Sequence, residues 1–459
     1  MNWLEPAYLL SHDLIGSRLR SFYTELLAIE RWPADRLETL HAERLDSLLR
    51  HAVREVPFYR ERVSVPELSA FPILRKEDVK TSFTELMEPP LHSEFTLGGT
   101  GFTYSWAEVR TGGSTGTPTT VIHDRDFRDW GRASRLYSQF LCGFPLGTPY
   151  FMLWGSMRDI NDARDSLSRR ISHLLLRTHP LNAFLMDAER MASYAQQIQQ
   201  SLIRHLMAYV DAAYELARFI KSSGLPMRSL DSIMACAGTV TEQHRALLGE
   251  VFGARIHNKY GSRECADIAC ECARGGFHIF SPGVHLEIVD EDGRPLPAGK
   301  TGRILITLLH NRRFPIIRYE IGDIGSLSDR RCECGSPMPL LEQVEGRITE
   351  MITATDGTFV SPVFVRHVIG TPYDQGVIER FQFRQTGART YVLALRFDAK
   401  VPEAAREKVI GGIRNDLLKV LGEVAQLEFV TTDQLIQPEN GKFQFFQNLH
   451  RSGTIQARK

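Results

Sequence analysis

The chain has 459 residues, 43% of them hydrophobic and 24% charged, ordinary proportions for a soluble globular protein with room for two or three domains. Its 55 Lys and Arg balance 55 Asp and Glu, so charge gives it no pull toward nucleic acid or an anionic membrane. The first residues carry Glu5 and Asp13 and no basic leader, and no apolar run reaches bilayer length, which predicts a cytoplasmic protein.

In chain order, residues 1–65 read as helices, with "LETLHAERLDSLLRHAV" repeating leucine at helical spacing before the break at Pro57. "FPILRKEDVK" at 71–80 reads as an extended entry into another helix, 94–123 as β-structure and 125–141 as helix. The β-structure carries "RTGGSTGTPTT". Gly112, Gly113 and Gly116 allow backbone angles closed to other residues, and Ser114, Thr115 and Thr117 add hydroxyls. Such a stretch suits a hairpin turn, or a nest of amides wrapped around a phosphate.

Residues 183–222 read as one long amphipathic helical region. "SIMACAGTV" at 232–240 and "ARIHNKYGSREC" at 254–265 are buried strands ending in small-residue turns at Gly238 and Gly261. From 279 to 329 the pattern is β, including "HLEIVDEDGRPLPAGKTGRILITLL", two strands around an Asp-Gly turn and a Pro/Gly loop. In "IIRYEIGDIG", Asp323 sits in a glycine turn where a carboxylate can accept from sugar hydroxyls. Beyond 346, strands are expected near 377–397, a helix near 402–421, a strand near 426–431 and then a basic tail. This alternation predicts an α/β fold, with buried sheets flanked by helices in a large N-terminal domain, 1–346. A small mobile α+β domain, 347–459, follows.

Five of the seven cysteines fall between 265 and 334, unlike the spread of a disulfide framework. "CECARGGFH" at 270–278 and "CECG" at 332–335 offer soft thiolates and one imidazole, the ligand set of a closed structural zinc site. The expected ligands are Cys272, His278, Cys332 and Cys334, with Cys270 as the substitute, in an insertion near 265–335.

Taken in order, "VPFYRERV", "FPILRKEDV", "RTGGSTGTPTT", "YGSRECADIACEC", "RYEIGDIG" and "CECGSPMPLLEQVEGRITEMI" resemble the adenylate-forming enzymes. These include acyl-CoA synthetases, peptide-synthetase adenylation domains and luciferases. The likeness is nearer to the phenylacetate-CoA ligase branch and the related capsular-polysaccharide proteins of CapK type, and it covers about residues 35–350. The resemblance implies that Ser114, Thr115, Gly116 and Thr117 hold the ATP β- and γ-phosphates. It implies that Gly238 and Thr239, with Tyr260, Gly261 and Ser262, border adenine and the α-phosphate. Glu264 would hold Mg²⁺, Asp323 grip the ribose, Arg347 support it from the hinge at Glu350, and Lys442 reach in from the small domain.

Three positions depart from the family pattern. Thr117 stands where lysine is frequent, which also excludes a Walker-type loop; Glu350 replaces an aspartate; and "TATDGTFVSP" keeps only a loose version of the loop that guides a pantetheine thiol. The expected function is ATP-dependent activation of a carboxylic acid to an acyl-adenylate, then transfer to CoA. The alternatives are transfer to a carrier protein or amine in natural-product or polysaccharide assembly, and a non-catalytic nucleotide-binding scaffold. ATP, Mg²⁺, structural Zn²⁺ and CoA are the implied cofactors, and a monomer or homodimer the expected assembly, with no nucleic acid or membrane as partner. The acid pocket is expected between 150–157, 205–214 and 232–239, where Phe151, Trp154, Met207 and Tyr209 suit a flat, mostly apolar acid, with Arg158 and His205 as polar candidates.

Overall fold

The structure is a computed structural model that describes residues 4–96, 105–110, 119–154, 176–183, 186, 188–347, 352–355, 359–360, 365, 368–369, 377–432 and 446–450. It opens with helices α1 (Leu4–Leu14), α2 (Leu19–Ile29), α3 (Ala34–Glu55), α4 (Pro57–Arg60), α5 (Lys76–Thr81) and α6 (Pro89–Thr96). The leucine spacing of α3 turns Leu37, Leu48, Leu49 and Ala52 inward, as an amphipathic helix must.

Strands β1 (Trp106–Arg110) and β2 (Thr120–Asp124) then form an antiparallel hairpin, with Arg110 opposite Thr120. The glycine stretch falls in the sequence between these two strands, and residues 111–118 themselves lie outside the described residues. Helix α7 (Arg125–Leu141) starts at once because Asp124 caps it, accepting from the Phe127 N–H at 2.9 Å.

The body of the molecule is built on β3 (Tyr150–Trp154), β4 (Thr178–Asn182), α8 (Ala188–Gln200), β5 (His205–Tyr209), α9 (Val210–Ser222), β6 (Ser232–Cys236), α10 (Glu242–Phe252) and β7 (Arg255–Ser262). Six further strands return antiparallel: β8 (Ala266–Glu271), β9 (Phe277–Ile279), β10 (Val284–Val289), β11 (Gly302–Leu308), β12 (Tyr319–Ser328) and β13 (Leu340–Arg347). Among the described residues they make one 11-stranded sheet in the order β10-β11-β12-β13-β9-β8-β7-β6-β5-β3-β4. The portion from β4 to β7 is parallel, with α8, α9 and α10 crossing over from β4 to β5, from β5 to β6 and from β6 to β7; beyond β7 it is antiparallel.

Side-chain alternation sorts the two faces. Met207, Met234, Cys236 and Cys270 pack toward α7 and the N-terminal helices, whereas Leu153, Leu206, Ala208, Ile233 and Ala235 pack toward α8, α9 and α10. The expected single helical region 183–222 is corrected here. His205–Tyr209 is a strand between α8 and α9, and its central residues Leu206, Met207 and Ala208 are buried on both faces. A short apolar run of that kind has no periodicity to distinguish it from a buried helical turn.

Strands β14 (Ile352–Thr353) and β15 (Phe359–Val360) pair separately. The C-terminal part is a second sheet, with β16 (Ile378–Gln385) and β17 (Thr390–Phe397) at its centre, then α11 (Glu403–Leu421), β18 (Gln426–Thr431) and β19 (Phe446–Asn448), in the order β18-β17-β16-β19. Phe381, Phe383, Leu393 and Leu395 bury their side chains with Ile413 and Leu417 of α11, and this core reaches Tyr214 of α9. Arg218 of α9 donates from Nη2 to the Glu379 carbonyl at 3.1 Å. Among the described residues, no helix is long and apolar enough to cross a membrane.

Candidate active site and metal centre

The parallel strands all end along one edge of the sheet, the edge at which open α/β sheets bind ligands. Beyond β6 the chain turns through Ala237, whose φ of +57° is left-handed, into Gly238. A Cβ on Gly238 would lie 2.5 Å from Val210 Cγ1, so the residue must be small for the turn to close over α9. Beyond Tyr260 a second tight turn forms. A Cβ on Gly261 would sit 2.3 Å from the Ala266 carbonyl oxygen, so only glycine lets the β7–β8 hairpin fold back this closely. Ser262 Oγ accepts from the Cys265 N–H at 3.1 Å, and Ala266 takes φ +57° to complete the turn. Glu264, at the hairpin's tip, is only 5% exposed.

The two distant turns meet. Tyr260 Oη donates to Asp323 Oδ2 at 2.7 Å across a sequence separation of 63 residues. Asp323 follows Gly322, which bends β12 with φ +93°, and stands directly opposite Arg347 of β13. Tyr260, Asp323 and the backbone of Arg347 are thus gathered in one place. Ser114, Thr115, Gly116, Thr117, Glu350, Lys442 and Arg158 lie outside the described residues, as does the Arg347 side chain.

Sequence reasoning missed what fixes the glycine hairpin. His123 of β2 donates from Nε2 to the Glu264 carbonyl at 2.8 Å, and burial lowers its pKa to about 4, keeping the ring neutral. The next residue, Asp124, accepts from the Arg312 and Arg313 N–H groups at 2.8 and 3.1 Å, while its own N–H reaches Asn311 Oδ1 at 3.0 Å. Asn311 Nδ2 donates to the Ile122 carbonyl at 2.9 Å. Residues 123 and 124 therefore tie the base of the hairpin to the Glu264 turn and to the segment after β11. The alternation of "TTVIHD" into a helix cap was the available signal.

The expected pocket residues divide between the two faces. Trp154 and Tyr209 have ring centroids 4.1 Å apart at the ligand edge. Phe151 packs on the opposite face with the cluster under α8 to α10, so it is not a pocket wall. His205 begins β5 at the far end from that edge, where it stacks on Phe144 and its Nδ1 lies 2.9 Å from Ser232 Oγ.

Behind the Tyr260 turn lies a buried ion pair. Lys259 Nζ donates to Asp267 Oδ1 at 2.5 Å, and Ser138 Oγ of α7 donates to Asp267 Oδ2 at 2.9 Å. Burial pushes the Lys259 pKa down, but the Asp267 carboxylate more than offsets it, and the ammonium is held above its ordinary value.

Twelve residues beyond Tyr260 the chain enters the cysteine–histidine cluster. The ligand atoms of Cys272, His278, Cys332 and Cys334 all lie within 4.8 Å of one another. Cys272 Sγ is 3.6 Å from Cys332 Sγ, and Cys334 Sγ is 3.3 Å from His278 Nε2. Bonds of about 2.3 Å from a central zinc predict donor separations of about 3.8 Å in a tetrahedron, so the set fits. The Arg274 and Cys334 N–H groups donate to Cys272 and Cys332 Sγ at 3.3 and 3.5 Å, favouring thiolates. Burial lowers the His278 pKa to about 4, which keeps the imidazole neutral, and pushes the Cys334 thiol up to about 12. Gly276 is obligatory, since a Cβ there would meet Cys332 Sγ at 2.3 Å. Cys270 points elsewhere, its Sγ 3.7 Å from Cys142 Sγ under α7.

No protein-family model matches the sequence. The chain is 26% identical over 358 residues to a phenylacetate-coenzyme A ligase of Thermus thermophilus, covering 74% of this chain and 77% of that protein. It is 23% identical to the phenylacetate-coenzyme A ligase of Escherichia coli, over 72% of this chain and 75% of that one. A crystal structure of 2-hydroxyisobutyryl-CoA ligase in its postadenylation state, bound to R3-HIB-AMP, shares the fold. Its TM-score is 0.68 at 18% identity, covering 94% of this chain and 93% of that one. With the α/β sheet and the meeting of the Tyr260 and Asp323 turns, the chain is thus similar in sequence to phenylacetate-coenzyme A ligases and shares the fold of an adenylate-forming CoA ligase.

Proposed function

We propose that this protein joins a carboxylic acid to a thiol in two steps driven by ATP. The contact of Tyr260 with Asp323 at the ligand edge of the sheet carries the reading, because it brings a ring for adenine and a carboxylate for ribose into one site. Likeness to CoA ligases supports the acceptor.

In the first step, a carboxylate oxygen of the acid attacks the α-phosphorus, the bond to the β-phosphate oxygen breaks and pyrophosphate leaves. Both reactants are anions, so the site must supply positive charge and donors where negative charge develops. Ser114, Thr115, Gly116 and Thr117, in the stretch of sequence between β1 and the β2 strand anchored by His123 and Asp124, wrap the β- and γ-phosphates. Gly238 and Thr239, with Tyr260, Gly261 and Ser262, border adenine and the α-phosphate. Asp323 accepts from the ribose hydroxyls, and Arg347, its cross-strand partner, supports the sugar. Glu264 would hold Mg²⁺, which would supply positive charge to the phosphates. Lys442 brings a further charge to the bridging oxygens from a small domain, 347–459, that turns about Glu350 relative to the large domain, 1–346. In the second step the CoA thiol, losing its proton, attacks the acyl carbon and AMP leaves. Cys272, His278, Cys332 and Cys334 would hold Zn²⁺, and as four protein ligands they would give it a structural role, tying the nucleotide turns together.

ATP–pyrophosphate exchange across a panel of carboxylic acids, followed by product analysis with and without CoA, tests the proposal. Acid-dependent exchange and a CoA thioester are expected. Exchange without a thioester moves the acyl group to a carrier protein or an amine, and absence of exchange with every acid overturns catalysis.

A further inference from the structure

One buried charged pair has no part in the mechanism above. Lys259 and Asp267 expose 12% and 6% of their side chains, and a pair so desolvated is weak evidence of added stability. Its position is informative. Reading across the sheet at the ends of the parallel strands, Leu153 pairs with Ala208, so Trp154 stands beside Tyr209, as their rings confirm. Tyr209 is opposite Cys236, Cys236 opposite Lys259, and Lys259 opposite Cys270. Residues level with one another on neighbouring strands share a face. Trp154, Tyr209, Cys236 and Lys259 thus form one row on the α7 side of the sheet, along the ligand edge. The row begins in two aromatic rings packed at a tilt and ends in an ammonium group one residue before Tyr260.

The hydrogen-bonding capacity of the pair is asymmetric. Asp267 is occupied at both oxygens, by Lys259 and by Ser138. Lys259 carries three N–H donors, and among the described residues Asp267 is its one hydrogen-bond acceptor. What remains is donor capacity on a group whose charge is already balanced, so the atom it suits is a neutral acceptor.

Resting on the adenylation reading, we propose that Lys259, oriented by Asp267 and Ser138, is a specificity-determining residue that donates to a neutral oxygen substituent, such as a hydroxyl, on an aromatic acid stacked along Trp154 and Tyr209. The acid is then not the wholly apolar one that the aromatic and methionine content alone suggests. A nearly buried donor left without its acceptor is costly, so an acid lacking the oxygen is discriminated against.

The test is ATP–pyrophosphate exchange with phenylacetate and its ring-hydroxylated derivatives, in the wild-type protein, in Lys259→Met, and in Lys259→Met combined with Asp267→Asn. The double variant removes both charges at nearly constant volume and guards against misfolding of the single one. Wild-type kcat/KM is expected to favour one hydroxylated acid by about 10-fold or more. Both variants should bring that ratio close to one, while the KM for ATP moves less than about twofold. Exchange with no preference for any hydroxylated acid, or a preference that survives both variants, overturns the inference and leaves adenylation standing. No exchange with any acid overturns the adenylation reading and this inference with it.

Discussion

From β4 to β7 the large sheet is parallel, and from β8 to β10 it is antiparallel; the two halves meet at β7 and contribute in different ways. Parallel pairing makes these strands finish at the same edge. Residues level with one another, Trp154, Tyr209, Cys236 and Lys259, therefore form a continuous surface with no special sequence to mark it. The antiparallel half sends alternate strands in opposite directions, so each hairpin delivers its own cluster. One end receives Tyr260 with Asp323, and the loops beside it collect Cys272, His278, Cys332 and Cys334. A parallel half suits the part of a ligand that differs between proteins, since single substitutions along the row reshape it. An antiparallel half suits fixed points that must be locked from several strands at once.

The sharpest way to break this division is to unlock the antiparallel half. Replacing Cys332 and Cys334 by serine should remove about one zinc per chain and several kcal/mol of stability, lowering the melting temperature by on the order of 10 °C. Metal content and thermal melting should fall together, and activity well below the transition should decline only as folding does. Full stability with lost activity would make the cluster chemical rather than structural, and a zinc-free wild-type protein of normal stability would remove the site.

Neither half supplies the charge assigned to the bridging oxygens. Lys442→Ala should slow adenylation by about 10²-fold or more while sparing transfer from a preformed acyl-adenylate, measured as thioester formation in a single turnover. Equal loss in both steps would mean that the C-terminal segment acts through folding alone.

Within the antiparallel half, Asp323→Ala tests whether its fixed point is the ribose. ATP binding, followed by calorimetry, should weaken by about 1.5–3 kcal/mol, the worth of hydrogen bonds to a charged group. Because Tyr260 Oη loses its acceptor in this variant, Tyr260→Phe is the needed companion. A smaller loss there would separate the sugar contact from the contact between the turns.

What the sequence revealed follows from the same contrast. The β-structure of 94–123 was legible in part, since β1 and β2 pair on either side of the glycine stretch, which itself lies outside the described residues. The thiols and histidine stood out by chemistry, although only folding showed Cys270 facing Cys142 instead. Strand β5 was hidden between two amphipathic helices whose periodicity ran over it. The Lys259–Asp267 pair was equally hidden, since a lysine and an aspartate eight residues apart are unremarkable until a hairpin folds them together. Sequence records local demands well and register poorly.

Acid provides the mildest probe, and it distinguishes the halves by their buried histidines. His310, after β11, is wedged between Phe22 and Trp130 with ring centroids 4.6 and 4.9 Å away, and burial, with Arg44 and Arg18 nearby, lowers its pKa to about 3. His285 of β10 lies 2.8 Å from His41 Nε2, and burial, with His41 and Arg318, lowers it to about 4. Unfolded, each titrates near 6.5, so between that value and the folded pKa the unfolded chain binds more protons. Their contribution is fully present above pH 6.5 and is lost as pH falls toward 4. His123 behaves in the same way, but its neighbour Asp124 opposes it: burial raises that carboxyl to about 6, so the native state binds the extra proton between about 3.8 and 6. Glu287, also raised by burial, opposes in the same direction. The histidines outnumber these carboxyls, so net stability should fall by about 1–2 kcal/mol between pH 6.5 and 5. Thermal melts across that range would measure it. Amide exchange should show protection falling around β10 and β11 before it falls in β5 and β6. His285→Gln should flatten the pH dependence, because glutamine does not titrate there. An unchanged slope would assign the acid response to other groups and leave the two halves equally sensitive.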